Sequence, residues 1–205
     1  MSPVYKLSAN SIRNGRTVYG SMLAGNSTYA PPGFESIATV TVGSTTTNTI
    51  TFSSIPSTYT HLQLRYTARA TDSDTQQYIY LRFNSDTGTN YAAHRLRADG
   101  SSASVDKSTS ANLIYYIGSV PAAQASSNIF GVGVLDILDY TNTNKYKPVR
   151  ALFAYDTNGS GDVYMGSGLW QSTSAISTIT LTKQMTTSGD FSQYSSFALY
   201  GIKTA

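Results

Sequence analysis

From about residue 36 to the C-terminus, apolar and polar side chains alternate with a period of two, segment after segment. No stretch longer than ten residues carries a convincing 3.6-residue period. A pattern of this kind folds as strands whose alternate side chains point to opposite faces. The first 35 residues break it. They are rich in Asn, Gly and Ser, hold turn chemistry at Asn14-Gly15, Gly25-Asn26-Ser27 and Pro31-Pro32-Gly33, and show neither period. The expected organisation is an N-terminal arm over residues 1–35 and one β-domain over residues 36–205, with Pro31-Pro32-Gly33 as a stiff hinge.

The alternation is clearest over residues 59–71 and 77–83. Leu62, Leu64, Tyr66 and Ala68 share one face, opposite Gln63, Arg65, Thr67 and Arg69. Ile79, Leu81 and Phe83 point inward, with Tyr78, Tyr80 and Arg82 outward. Further strands are expected at residues 36–42, 48–53, 91–98, 111–117, 128–140, 146–156, 162–170, 176–182 and 191–203. Residues 43–47 read as a hairpin loop between the first two. Residues 98–110, polar and of low complexity, read as a surface loop. In residues 128–140 the alternation slips near Leu135, which predicts a bulge or a strand buried on both faces. Ten or eleven short strands, joined by both tight turns and longer connections and without a fixed repeat, predict an all-β, jelly-roll-like antiparallel β-sandwich.

Composition suits this reading. Only 12% of residues are charged, and there are 16 tyrosines, which fit half-exposed pleated surfaces and contact surfaces alike. Cysteine is absent, which excludes disulfides and thiolate metal sites. The net charge is +3 with no run of basic residues, a poor basis for nucleic-acid binding. No apolar stretch is long enough for a membrane helix, and the N-terminus lacks a secretory pattern. The expectation is a protein that works where it is made, or leaves by lysis or within a particle.

Catalytic motifs find little support. The run Asp156-Thr157-Asn158-Gly159-Ser160-Gly161-Asp162 resembles a calcium loop, but its twelfth position is Ser167 rather than a bidentate carboxylate, and a tight turn explains it. His61 and His94 have no partner at motif spacing and read as structural. Asp136 reads either as an internal ion-pair partner of a residue such as Arg150 or as half of a glycosidase pair with a second carboxylate; Asp139 lies beside it. No nucleotide-binding glycine loop is present. Neither enzymatic activity nor a cofactor or metal is expected. Exposed aromatics at Tyr78, Tyr80 and Trp170 would suit stacking against a sugar, although core or interface packing explains each one singly. In the arm, the isolated apolar residues Ile12, Val18, Tyr19 and Leu23 are candidate anchors for grooves on a partner.

The stretches FSSIPSTYTHLQLRYTAR (52–69), LRFNSDTGTNYAAHRL (81–96), DILDYTNTNKYKPVRAL (136–152), SGLWQSTSAISTITL (167–181) and FSQYSSFALYGIK (191–203) resemble a group of tailed-bacteriophage virion proteins common among phages of aquatic bacteria, cyanophages included. The arm run SANSIRNGRTVYGSMLAGN (8–26) has the same look. The resemblance implies a jelly-roll-like domain in a tail fibre, tail appendage or capsid surface, hence a structural virion protein. Its implied partners are other virion proteins and copies of itself, a trimer foremost, without nucleic acid or membrane insertion. The alternative function is a carbohydrate-binding module for host surface glycan. The motifs are structural phrases and transfer no catalytic residue.

Overall fold

The computed structural model describes residues 33–184 and 188–203. Among them all regular structure is strand: β1 (Phe34–Thr41), β2 (Thr49–Phe52), β3 (His61–Ala68), β4 (Gln76–Phe83), β5 (Tyr91–Ala98), β6 (Ala103–Ala111), β7 (Ile114–Pro121), β8 (Gly131–Ile137), β9 (Lys147–Asp156), β10 (Gly161–Trp170), β11 (Ile179–Lys183) and β12 (Ser196–Ile202). The anchors expected at Ile12, Val18, Tyr19 and Leu23 lie outside the described residues. The sandwich starts a little before residue 36, because Phe34 already pairs with Ile202 and the Lys203 amide donates to the Gly33 carbonyl.

Two antiparallel sheets form the sandwich. The large one runs β1-β12-β3-β8-β9-β10-β5-β6 and the small one β2-β11-β4-β7. The pairings β1 with β12, β2 with β11, β3 with β8 and β4 with β7 join early strands to late ones, as in a long hairpin rolled onto itself. That is a jelly roll of eight strands. Two hairpins, β5–β6 and β9–β10, are inserted into it and widen only the large sheet. The widened part folds over the edge of the small sheet, so that β7 packs against β8, β9, β10, β5 and β6. Close approach is possible because β10 has glycine where β7 crosses: a Cβ on Gly168 would lie 2.5 Å from Ile114 Cγ2.

The alternation read from the sequence sets the core. Leu62, Leu64, Ile79, Leu81, Phe83, Leu135, Ile137, Phe197 and Leu199 are all fully buried between the sheets. A buried ion pair crosses this interior, Lys183 Nζ to Asp72 Oδ1 at 2.6 Å. Lys147, also buried, donates to the carbonyls of Asn142, Lys145 and Thr173, and burial lowers its pKa.

Four local expectations are corrected. Residues 43–47 do not close a hairpin, because β1 and β2 belong to different sheets. Residues 103–111 form strand β6 rather than a loop. As an edge strand with nearly every residue exposed it needs no apolar alternation, and pairing with β5 alone makes it a strand. The apparent slip in β8 is neither a bulge nor double burial, since its register with β3 and β9 is unbroken. There Gly131 and Gly133 point inward and Val132 and Val134 outward, which inverts the usual pattern. The Tyr66 ring fills the space over Gly133, where a Cβ would lie 2.4 Å from it. The described strands number twelve, against ten or eleven expected.

Candidate functional site

The outward face of the large sheet carries the first unusual feature. Cross-strand register aligns side chains in rows. One row runs Val105, Leu96, Met165, Leu152, Val134 across β6, β5, β10, β9 and β8. The next runs Ala103, Ala98, Val163, Ala154, Val132. These aliphatics face solvent: Val105 is 77% exposed, Met165 59%, Val163 54%, Leu152 and Val132 52%, Leu96 45%. Six side chains of this kind present on the order of 500 Å² of apolar surface, near the top of the ~300–600 Å² range for the largest patch on a typical monomer.

The third row is polar: Lys107, His94, Ser167, Arg150, Asp136, Gln63. Arg150 donates to Asp136 at 2.6 Å, and Gln63 to the same carboxylate at 2.7 Å. The Asp136–Arg150 pair anticipated from sequence thus exists, but it lies on the outer face, with the Arg150 side chain 76% exposed, rather than inside. Beyond it, the Arg65 guanidinium sits over the Phe34 and Tyr200 rings, 5.1 and 5.3 Å from their centroids.

The second feature is a cleft of about 840 Å³ at one end of the sandwich. It lies where β5, β9 and β10 meet their turns, beside the start of β4 and the segment after β7. Arg97, Tyr155 and Asp162 line its wall; the rim comes from the turns around Gly100 and Gly159 and from residues 124–126. The turn around Gly159 is the calcium-like run of the sequence. It is a two-residue hairpin loop with Asn158 at φ 60° and Gly159 at φ 123°, closed by the Thr157 amide donating to the Ser160 carbonyl.

The cleft wall is tightly organised. Arg97 donates to Asp162 through Nε at 2.7 Å and Nη2 at 3.2 Å, and this pairing raises the guanidinium's pKa. Tyr155 and Tyr164 hydroxyls lie 2.5 and 3.0 Å from Asp162 Oδ2, and 2.6 and 3.0 Å from the Gln76 amide. Two hydroxyl protons cannot serve all four contacts as donors. With the Gln76 amide nitrogen turned toward the tyrosines, it donates to both rings' oxygens and both rings donate to Asp162. Burial, reinforced by the bond to Asp162, pushes the Tyr155 hydroxyl well above its ordinary pKa. Arg69 secures the rim from behind, donating to the carbonyls of Ser126, Ile129, Ala122 and Ala125. Asp99 closes its own turn by accepting the Ser101 and Ser102 amides, which lower its carboxyl pKa.

The aromatics singled out from sequence are placed elsewhere. Trp170 is 2% exposed, stacks on Tyr91 at 6.2 Å and donates its indole N–H to Asp86. It is a core ring with no free face for a sugar. Tyr80 is 8% exposed and packs edge-on against Tyr115 and Tyr116. Tyr78 meets Tyr116 edge-on and covers the buried Arg95, whose guanidinium lies 4.9 Å from the Tyr78 centroid and 4.3 Å from that of Tyr116. These tyrosines enclose a cation, Arg95, that is also paired with Asp106. His61 Nδ1 accepts the Asp139 amide, and His94 stands on the outer face. The sequence reading named Asp162 only as part of a tight turn and missed Gln76 and Arg97 as its partners, because the three come from separate strands with no motif spacing.

Comparison with protein-family models, curated proteins and solved structures returns no match for this chain.

Proposed function

We propose that the chain is a structural, non-enzymatic component of a bacteriophage virion. In this reading the arm, expected over residues 1–35 and ending before β1 begins at Phe34, anchors it to a neighbouring virion protein. The jelly roll projects from the particle, and copies of it pack through the outer face of the large sheet. The observation that supports an assembly role is the row of exposed aliphatics across five strands of that face. A sheet face left permanently in water is normally polar. Two copies meeting there would bury about 1,000 Å² of apolar surface, the size at which a specific interface begins. The polar row beside it carries both signs, Lys107 and Arg150 against Asp136, and can pair with its own copy about a symmetry axis. The phage setting rests on the sequence resemblance.

Light scattering on the purified full chain tests the face. The wild type is expected to be oligomeric at micromolar concentration, and Met165→Glu with Leu152→Lys to be monomeric and folded. A monomeric wild type, or an oligomer that the double variant leaves intact, refutes the assembly surface. An antibody against residues 36–205 is expected to decorate intact particles in electron micrographs. Particles that stay bare refute the virion reading.

A further inference from the structure

We propose that the cleft walled by Arg97, Tyr155 and Asp162 is a binding site for a neutral saccharide. Its volume of about 840 Å³ falls within the ~300–1,000 Å³ of small-molecule sites. Its charge selects the ligand class. Among the described lining residues one guanidinium, Arg97, stands with two carboxylates, Asp99 and Asp162, so this wall is acidic on balance and disfavours phosphate, sulfate and uronate groups. Its surface offers both kinds of partner: Arg97 Nη1 and the Thr75 hydroxyl donate, and the Gln124 amide oxygen and the Ser101 and Ser160 hydroxyl oxygens, whose protons are held within their own turns, accept. A ligand made of hydroxyls satisfies both kinds at once. Tyr155, the one aromatic among the described lining residues, supplies an apolar surface for the C–H face of a sugar ring.

The site is prepared before any ligand arrives. Asp162 fixes Arg97 through two nitrogens, which leaves Nη1 without a protein partner among the described residues, on a side chain 32% exposed. Asp162 also fixes Tyr155, and Arg69 holds the 122–129 rim through four carbonyls. Groups already held in place lose little conformational freedom on binding. The carboxylates of Asp99 and Asp162 are occupied by amides, hydroxyls and Arg97, so they act as positioning groups rather than as acid and base. The arrangement binds without cleaving.

The probe is an array of neutral oligosaccharides together with their sulfated and uronate-bearing counterparts, applied to the full chain. The expected result is retention of a neutral subset only. Ser126→Trp, which fills the cleft from an exposed position, is expected to abolish retention. Gln124→Ala with Thr75→Ala is expected to weaken it about tenfold, one to two hydrogen bonds' worth. All three substitutions are at exposed positions, and unchanged urea midpoints confirm the fold. Met165→Glu, on the outer face, is expected to leave binding intact. Silence across the array, preference for the acidic counterparts, or binding that survives Ser126→Trp overturns the proposal. None of these outcomes bears on the oligomeric state.

Discussion

Replacing Gly133 by alanine tests which face of β8 points inward. Gly133 is the direct cross-strand partner of Tyr66. An added Cβ would stand 2.4 Å from both Cε1 and Cζ of that ring. Carbon atoms prefer separations of about 3.5–4.0 Å, so the ring must retreat by more than about 1 Å. It has nowhere to go. Phe197 lies 5.9 Å away between centroids, and even the notional Cβ of Gly118 would be 2.8 Å from the Tyr66 hydroxyl. Overpacking of this kind costs roughly 1–3 kcal/mol, and the rigid surroundings place Gly133→Ala at the upper end. Relief of the glycine's entropic penalty returns about 0.5–1 kcal/mol. The net loss is about 2 kcal/mol, or roughly 4–8 °C in melting temperature for a domain of this size. Urea unfolding followed by tyrosine fluorescence and circular dichroism measures it. In a Tyr66→Leu background the ring is gone, and the same substitution is expected to cost less than about 0.5 kcal/mol, outside simple additivity. If Val132 and Val134 pointed inward instead, as their hydrophobicity suggests, Gly133 would sit on the surface and alanine would stabilise. A neutral or stabilising Gly133→Ala, or an equal cost in both backgrounds, refutes the inward placement of Gly133 against Tyr66.

Three further outcomes are expected. Lys183→Met removes the buried ion pair with Asp72 and is expected to lose about 3–5 kcal/mol in urea unfolding. Trp170→Phe keeps the stack on Tyr91 but removes the indole donor to Asp86, and the cost is about 1–3 kcal/mol by the same assay. The urea midpoint should also depend on pH at both ends. Hydrogen bonds from Asn90 and Gly88 lower the Asp86 pKa, and those from the Ser101 and Ser102 amides lower that of Asp99. Burial opposes the same shift in Asp136, where bonds from Gln63 and Arg150 prevail. The folded state therefore binds these protons less tightly than the unfolded chain. Their contribution is complete above the unfolded carboxyl value of about 3.9 and is lost as pH falls below it. Burial pushes the Tyr91 hydroxyl up to about 12, so stability is lost again as pH rises from about 10, where the unfolded tyrosine ionises first. A midpoint unchanged from pH 7 down to pH 2.5, or from pH 8 up to pH 11.5, refutes the corresponding arm.

Sequence alone was enough for the class of fold, because a period of two is a local property that each strand carries by itself. Leu62, Leu64, Tyr66 and Ala68 on β3, and Ile79, Leu81 and Phe83 on β4, point where their alternation says. Tertiary structure decided whatever depends on a distant neighbour. β6 is a strand only because β5 offers it backbone partners. The inward face of β8 is glycine only because the Tyr66 ring occupies the space above it. The same reason separates the two candidate sites from any motif. The aliphatic row exists through register across five strands, and the cleft through Gln76, Arg97 and Asp162 meeting from β4, β5 and β10. Trp170 and Tyr80 show the converse. An aromatic side chain states how much surface it would bury, and only the packed fold determines whether that surface faces the core, a partner or water.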